Sequence, residues 1–545
     1  MTGGTIRGTY GLREPIRQPQ KAPPMTTSST ARSITQAPFS AADQKFAALK
    51  DRLVDTDTLL LEHSAIERLI ETDGREVLRE LFQSHLTVRS MEEVQVVPVG
   101  EDGKARGHCR MGTSRPLTSI FGPVTVTRRG YSARGHDSRF PLDGALNLPP
   151  EKQSLEVQRR LARLVAQNSF DEATAQLVET TGASVAKRQV EDIAVRAAQD
   201  FDAFYAGTEH DISPEETSAL VVVTTDGKGV VMHKQDLRPA TRLKAERQQG
   251  KPKKRLGSGE KKQRKRMATV AAVYTLGHFP RTADDVVHGL RPVQEVAERM
   301  RGPKPELKRV WASLSKEPEE VIQEAFQEGR GRDPNRDKRW VALVDGDKHQ
   351  LARVRRVAAQ HGIDITIVLD LIHVIEYLWK ASHAFNKPGT LEAQRWVDER
   401  LHRLLCGEAS SVAGGIRRAA TMRKLSKTRR KQADKCVDYL LNNAEYVRYD
   451  NYLAEGLPIA TGVIEGACRH LVRDRMDLTG ARWRLPRAEA VLRLRALRSS
   501  GDFEQYWQFH EEQEARRNHA SRYQRGQLPA VTKPTRRSHL RLVKA

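Results

Sequence analysis

The sequence predicts a multidomain α/β protein, and three observations lead to this prediction. The chain has 545 residues, which is enough for several domains and a full hydrophobic core. Its middle part alternates valine-rich runs with segments of helical periodicity, which is typical of a mixed sheet packed against helices. The part before it shows helical, short-strand and paired-helix patterns in turn, so smaller modules are expected to precede the sheet.

The composition points to a polyanionic partner. Lys and Arg number 92 against 69 Asp and Glu, which gives a formal net charge of +23. Nucleic acid is the simplest such partner, because each neutralised phosphate releases counterions. The four cysteines are far apart and form no C-x-x-C pair, which excludes a disulfide framework or zinc cage and favours the cytoplasm. No apolar run has the length of a membrane span, so no membrane association is expected.

The two ends of the chain are predicted to be disordered basic tails. Residues 1–40 are rich in Thr, Gly, Pro and Arg, and residues 513–545 have a similar composition. Between 41 and 95, apolar residues recur at helical spacing and predict a helical N-terminal region of two or three helices.

Residues 96–150 predict a small strand-rich module. The string PLTSIFGPVTVTRRGYSA is its clearest hairpin candidate. Arg128, Arg129 and Arg134 are expected to be exposed there, either as contacts to a DNA backbone or as part of a solvated surface ribbon.

Residues 151–206 predict a helix-turn-helix region. Ser169 fits the cap of a first helix, Thr181-Gly182 the break, and Ser184 the cap of a second helix. The side chains that a recognition helix would present to base edges or phosphates are Lys187, Arg188 and Gln189. A plain helical hairpin fits the same pattern.

Residues 217–370 contain five predicted strands. The Asp-Gly pair that separates the first two is the strongest short-range hairpin signal. A long helical region separates the third strand from the fourth. Three consecutive strands followed by alternating helix and strand is the order of a ribonuclease-H-like α/β sheet. The predicted strands are SALVVVTTD, GVVMHKQ, MATVAAVYTL, RWVALVDGD and IDITIVLD.

Two acids are expected to meet in such a sheet. A carboxylate on the first strand and one at the end of the fourth lie side by side, and Asp226 and Asp345 hold these positions. Two neighbouring carboxylates repel each other and have raised pKa values unless a divalent cation compensates their charge. The arrangement therefore predicts a magnesium site. Asp226 could instead be a turn residue only. Asp347 is an alternative ligand to Asp345, but it fits better as the N-cap of a helix beginning at Lys348.

Glu465 is the best candidate for a third acid. It lies in the first turn of a predicted helix, in an arginine-rich segment. The alternative is that Glu465 only favours the positive end of the helix and pairs with Arg469, four residues on.

Four strings resemble DDE transposases of bacterial insertion sequences, particularly the ISKra family. They are TTDGKGV, WVALVDGD, IVLDLIHVIEYLWKASHAF and GVIEGACRHLVRDRMDLTGARWR, and the resemblance extends over residues 110–505. It implies a ribonuclease-H-like catalytic core in which Asp226, Asp345 and Glu465 bind two magnesium ions, with manganese as a substitute. It also implies an all-helical insertion at 371–455, before the core resumes with the glutamate helix at 456–512.

The same resemblance implies further site residues and partners. Asp370 and His373 match the D-x-x-H signature of related transposases and are expected to support the site, although a helix N-cap followed by an ordinary histidine fits equally. A homodimer or larger assembly is implied, in a bacterial cytoplasm and associated with the nucleoid.

Further DNA contacts are expected from a basic arm at 244–266 and from the segment after Glu465. The arm could also be a merely solvated charge run. Trp483 could stack on an unpaired base, although a tryptophan is more often part of a core. The residues expected to contact DNA are Lys253, Lys254, Arg255, Lys261, Lys262, Arg264, Lys265, Arg266, Arg469, Arg473, Arg482 and Trp483.

The predicted function is that of a DNA transposase. It would cleave the ends of a mobile element and join the 3′ hydroxyl to target DNA by two-metal phosphoryl transfer, with double-stranded terminal repeats and target DNA as partners. One alternative is a catalytically inactive DNA-binding regulator derived from a transposase. The other is a metal-dependent nuclease that cuts without joining.

Overall fold

A computed structural model of the chain describes residues 37–207, 217–247, 264–290, 302–460, 462–478 and 480–532. Within them the protein has a mixed α/β fold with two sheets. None of the helices in these ranges combines the length and the apolarity that crossing a bilayer requires.

The N-terminal region is helical and leads into a small antiparallel sheet. Its helices are Ser40–Leu53, Thr56–Leu59 and His63–Met91, and the last of these packs on the sheet. The sheet has the strand order β1-β2-β3 and its own small apolar core. Its strands are β1 (His108–Ser119), β2 (Gly122–Ala133) and β3 (His136–Arg139).

Arg128 on β2 was expected to be exposed, and this expectation is wrong. It is buried, with Nε 2.6 Å from Oδ1 of Asp143 and its guanidinium 4.4 Å from the ring centre of Phe140. Strand alternation explains this, because even-numbered positions of β2 face the core. Arg129 is half-buried and donates to the carbonyl of Glu93, whereas Arg134 is exposed.

The larger sheet has five strands in the order β6-β5-β4-β7-β8. The first of these strands in sequence, β4, lies in the middle, antiparallel to β5 and parallel to β7. β5 and β6 pair antiparallel, and β7 and β8 pair parallel. The strands are β4 (Leu220–Val231), β5 (Lys265–Leu276), β6 (Glu306–Ser313), β7 (Arg339–Val344) and β8 (Ile365–Leu369).

The expected hairpin turn at Asp226-Gly227 does not form, because β4 continues through both residues. Its pairing with β5 is unbroken, with Asp226 opposite Val270 and Gly227 opposite Thr269. A two-residue hairpin turn of the Asp-Gly type needs positive φ angles, and neither residue has one. Valines on both sides of the pair and an equally long partner strand outweigh the local turn signal. The second predicted strand is therefore the end of β4.

β6 was predicted to be part of a long helical region. Instead Glu306–Ser313 forms the outer strand next to β5, with Val310, Trp311 and Ala312 buried. A helix follows at Pro318–Arg332, where Glu317 and Glu320 form a capping box. Tertiary pairing with β5 decides the conformation of this segment, whose apolar residues do not alternate clearly.

The helix-turn-helix region contains a helix at Phe170–Thr180 and a helix at Lys187–Ala197. Ser169 caps the first helix as expected, accepting a hydrogen bond from the Glu172 amide. The expected cap of the second helix is wrong, because that helix begins after Ala186 and not after Ser184. The chain stays extended up to this point since Ala183 and Val185 are buried in the core.

The remaining helices include those of the segment between β8 and Glu465. That segment is helical in its described residues up to Ala454. Its helices Leu371–Phe385 and Lys427–Asn442 pack together. The remaining helices of at least four residues are Pro141–Ala145, Leu155–Gln167, Phe201–Gly207, Pro239–Arg247, Ala283–Leu290, Lys348–His361, Leu391–Leu405, Ala409–Met422, Tyr449–Ala454, Gly462–Ala467 with its π-helical continuation Cys468–Arg473, Leu485–Ser500 and Phe503–Asn518.

Residues 513–532 of the expected disordered C-terminal tail are ordered, and residues 533–545 lie outside the described residues. The helix Phe503–Asn518 runs past residue 513, and the chain then returns to the small sheet. The amide of Val94 donates to the carbonyl of Val531, and Gln524 donates to Val99. Tyr523 and Val531 are buried, so apolar anchors together with these backbone hydrogen bonds fix a segment whose polar composition predicts disorder.

Candidate active site

Asp226 and Asp345 occupy equivalent positions along two neighbouring strands. β4 and β7 pair in parallel with Thr224 opposite Leu343, and each acid follows two residues later. Neighbouring strands are about 4.8 Å apart, and residues two apart share a face. Burial raises the pKa of Asp345, and the negative charge of Asp226 adds to this shift. The sheet therefore brings the two carboxylates into electrostatic contact.

The turn after Asp345 fixes its carboxylate. Asp345 Oδ1 accepts a hydrogen bond of 2.9 Å from the amide of Asp347. Gly346 between them has φ = 85°, and a Cβ atom there would lie 2.9 Å from Leu369 and 3.1 Å from Asn443. Asp347 itself caps the helix Lys348–His361 by accepting from two of its amides. The turn therefore holds one carboxylate oxygen of Asp345, while Asp347 is occupied as a cap.

Glu465 lies on the helix Gly462–Ala467, which packs against β4 and β5. Partial burial raises its pKa, and the negative charges of Glu376 and Asp226 add to the shift, whereas His373 opposes it. Glu465 is thus close enough to Asp226 to sense its charge. The pairing with Arg469, which the alternative interpretation of Glu465 requires, is not formed in the structure, where the Arg469 guanidinium lies 3.7 Å from Asp474.

Asp370 and His373 have different positions relative to the acids. Asp370 is buried and caps the helix Leu371–Phe385, accepting 2.8 Å from the amide of Ile372. His373, one turn into this helix, lowers the pKa of both Asp345 and Glu465 by its charge. Asp370 therefore orients the helix, and His373 is near enough to Asp345 and Glu465 to affect the pKa of both.

Sequence reasoning missed Cys468. Its thiol donates to Asp226 Oδ2 over 3.1 Å and is buried. Burial raises the pKa of this thiol, and the negative charge of Asp226 adds to the shift. Cys468 is three residues after Glu465, so helical spacing alone predicts that it faces the same way as the acid.

Two further side chains hold the strands that carry the acids. Gln350 donates through Nε2 to the carbonyl of Thr225, 2.6 Å away and next to Asp226. Tyr439 donates to the carbonyl of Asp345 over 2.8 Å and stacks on Tyr377 at 3.9 Å between ring centres. The residues between β8 and Glu465 thus touch the site through Tyr439, which no local sequence signal indicates.

Several of the expected DNA contacts are exposed. These are Lys187, Arg188 and Gln189 at the start of their helix, and Arg469, Arg473 and Arg482 after Glu465. Lys187 is 2.6 Å from Asp171, and Gln189 accepts from Gln153. Arg264 and Lys265 are half-buried at the start of β5.

Two of the residues expected to contact DNA have partners within the protein. Trp483 is buried, donates through Nε1 to the carbonyl of Met476 and has Arg475 4.9 Å from its ring centre, so it belongs to the core. Arg266 donates to the carbonyls of Leu314 and Asp236, so its guanidinium binds the backbone of the protein itself. Lys253, Lys254, Arg255, Lys261 and Lys262 lie outside the described residues.

A basic cavity of about 620 Å³ lies near the end of β4. It begins six residues beyond Asp226, which corresponds to about 20 Å along a strand. Met232 and the exposed Arg482 line it, and the backbones of Trp483 and Val231 hydrogen-bond beside it. Its cationic lining residues are Lys234, Arg242, Arg264 and Arg482.

The comparisons with known proteins show only a weak structural similarity. No protein-family model matches this chain, and no curated protein is similar to it. Among solved structures, the chain is similar to the Drosophila P element transposase strand transfer complex, with 10% sequence identity and a TM-score of 0.21. The match covers 65% of this chain and 80% of that one. A likeness at this level carries no argument about function.

A second group of metal-ligand residue types lies away from the three acids. The ligand atoms of Asp200, His510 and Glu514 all lie within 4.8 Å of one another, and the side chains are buried. Arg517 forms ion pairs with both carboxylates, and His510 Nδ1 is 2.7 Å from Asp200. Because Arg517 already compensates these carboxylates, the group is better described as an ion-pair network than as a cation site.

Proposed function

We propose that this chain is a metal-dependent polynucleotidyl transferase of the DDE transposase kind, with a ribonuclease-H-like core. The observation that carries the proposal is the pair Asp226 and Asp345 on adjacent parallel strands at the middle of the five-stranded sheet. The strand order supports the proposed core, because the first strand is central, antiparallel to the second and parallel to the fourth.

The donor set fits a hard divalent cation. Asp226, Asp345 and Glu465 offer carboxylate oxygens, which suit Mg²⁺ and Mn²⁺ better than softer metals. Burial raises the pKa of Asp345 and of Glu465, and the negative charge of Asp226 adds to both shifts, so a bound cation would favour the ionised carboxylates. When bound there, two such ions supply the Lewis acidity that phosphodiester cleavage and strand joining require.

The residues of the chain have separate tasks in this proposal. Asp226 and Asp345 would hold the cations from the sheet, and Glu465 would complete the site from its helix. His373 would balance the charge between Asp345 and Glu465. The exposed Arg469, Arg473 and Arg482 follow Glu465 and would hold the DNA backbone beside the acids.

The decisive experiment uses the purified full chain with Mg²⁺, a supercoiled plasmid and a duplex carrying the DNA that flanks its gene. Joined products support a transposase, and nicks without joining support a nuclease. Binding without either reaction supports a DNA-binding regulator.

The matched variants are Asp226→Asn and Asp345→Asn, with Glu512→Gln as the control. Glu512 is exposed on the helix Phe503–Asn518. Loss of activity in both Asp variants but not in the control is the expected result. Equal activity of Asp226→Asn and the wild type would refute the proposed site.

A further inference from the structure

The N-terminal helices expose more apolar surface than any other part of the described chain. Of the twenty exposed large hydrophobic side chains in the described residues, eight fall between residues 46 and 81. Leu60 is 81% exposed and Val54 is 73% exposed. We call these eight the N-terminal apolar surface: Phe46, Val54, Leu59, Leu60, Leu61, Ile70, Leu78 and Leu81.

These helices bury little within one copy of the chain. The helix His63–Met91 has 29 residues, of which only Ser84 and Leu86 are fully buried. It packs on the helix Ser40–Leu53, and ion pairs such as Arg52 with Asp73 at 2.7 Å join the two. Helices owe most of their stability to the packing of an apolar face, so this hairpin lacks part of its core.

Part of this surface forms a groove. A cavity of about 480 Å³ lies between the two helices and the turn of the small sheet. Phe46, Ile70 and Leu78 line it together with Ile120 and Phe121. Apolar surface that is both concave and exposed marks an interaction site more often than a solvated face.

Charge argues against DNA as the occupant. Residues 40–91 contain ten acidic and seven basic side chains, whereas the whole chain carries +23. A net negative segment repels a phosphate backbone, so a protein partner is favoured. The mixed signs along the hairpin can also pair with an identical surface turned by a two-fold rotation.

The area matches what a dimer of this chain needs. Full burial of one such side chain corresponds to about 60–120 Å² of apolar surface. Eight of them therefore give roughly 500–1,000 Å², and a stable interface takes about 800 Å² from each partner. We infer that two copies of this chain associate through the N-terminal apolar surface, hairpin against hairpin.

The test is the mass of the full chain in solution, without DNA, measured by sedimentation across a range of concentrations. The wild type should be a dimer at micromolar concentration. Leu60→Glu and Ile70→Glu should each raise the dimer dissociation constant by about 30-fold or more, because a charge would be buried in the interface. Both residues are exposed in the single chain, so the fold should persist, with unchanged circular dichroism.

Met422→Glu is the matched control. Met422 is 72% exposed but lies on the helix Ala409–Met422, away from this hairpin in the sequence. It should dimerise like the wild type. A wild-type monomer, or a dimer that survives both glutamate substitutions, would overturn the inference. A monomer destabilised by Leu60→Glu would instead assign the surface to residues 1–36 of the same chain and would overturn it equally.

Discussion

The Cys468 thiol donates a hydrogen bond to Oδ2 of Asp226 over 3.1 Å and so joins the helix of Glu465 to the strand of Asp226. Partners of this kind orient a ligand, and their loss typically costs about 10–100-fold in metal affinity or activity. We expect Cys468→Ala to raise the Mg²⁺ concentration for half-maximal DNA cleavage by about tenfold. Cys468→Ser, which keeps a donor, should stay near the wild type.

Cys436→Ala is the control for this prediction. Cys436 is buried in the helix Lys427–Asn442 and does not contact Asp226. It should lower the melting temperature without shifting the Mg²⁺ dependence. An unchanged Mg²⁺ dependence in Cys468→Ala would show that the thiol contributes to packing and does not orient the Asp226 carboxylate.

The charge of Asp345 should lower the free energy of unfolding without metal and raise it when Mg²⁺ is bound. Burial and the charge of Asp226 raise the pKa of Asp345, so its ionised form destabilises the metal-free fold at neutral pH. In EDTA, Asp345→Asn should therefore increase the free energy of unfolding by about 0.5–1 kcal/mol. With saturating Mg²⁺ the wild type should be the more stable protein, because ligand binding stabilises the native state. Urea denaturation in both buffers measures this.

Two glycines that follow an aspartate should respond differently to alanine. Gly227 lies within β4, and a Cβ atom there would meet only the flexible end of Met267 at 3.2 Å. Gly346 has φ = 85° and is crowded by Leu369. Gly227→Ala should change stability by less than about 1 kcal/mol, and Gly346→Ala should cost about 2 kcal/mol or more. A large loss at Gly227 would favour the turn that the sequence predicts.

Tyr439→Phe should weaken the site from a distance. It removes the hydrogen bond to the carbonyl of Asp345, which should cost about 1 kcal/mol of stability. DNA cleavage should fall more than the stability loss explains, because the strand end at Asp345 loosens. Tyr523→Phe, a buried tyrosine of the C-terminal segment, is the control and should leave cleavage unchanged. The ratio of cleavage rates at a temperature where all variants are folded decides this.

Acid should release the C-terminal segment through His519. Burial lowers the pKa of His519 below 6.5, and its Nε2 lies 2.8 Å from the carbonyl of Leu148. The unfolded chain therefore binds the proton more readily. Stability should fall as the pH drops from about 6.5 through the lowered pKa. His519→Gln should show a smaller loss between pH 8 and pH 5, measured by urea denaturation.

The sequence predicts the parts of the fold that repeat a local pattern. Four strands of the larger sheet (β4, β5, β7 and β8), the helical segment after β8 and the Ser169 cap follow from periodicity and capping chemistry. Asp226-Gly227 and β6 do not, because pairing with β5 overrides their local signals. Neither does the burial of Trp483, which depends on contacts distant in the sequence.

In the candidate site, too, local patterns can be predicted from the sequence and distant contacts cannot. The positions of Asp226 and Asp345 can be predicted, because strand order and register suffice to place them. The position of Cys468 can also be predicted, because it lies three residues after Glu465 and helical spacing places both on one face. Tyr439 is not, since it reaches the site from a helix about 94 residues after Asp345, and only the packed structure brings them together.

Residues 523–532 pack against residues 93–100, and this contact can form only late in the synthesis and folding of the chain. The amide of Val94 donates to the carbonyl of Val531, so residues 93–100 lack this backbone partner until residue 531 has been synthesised. Contacts this far apart in sequence form late and slowly. A product that stops before residue 519 would keep the strands of both sheets but leave the backbone of Val94 and Val99 without these partners, and unpaired extended backbone invites pairing with other chains.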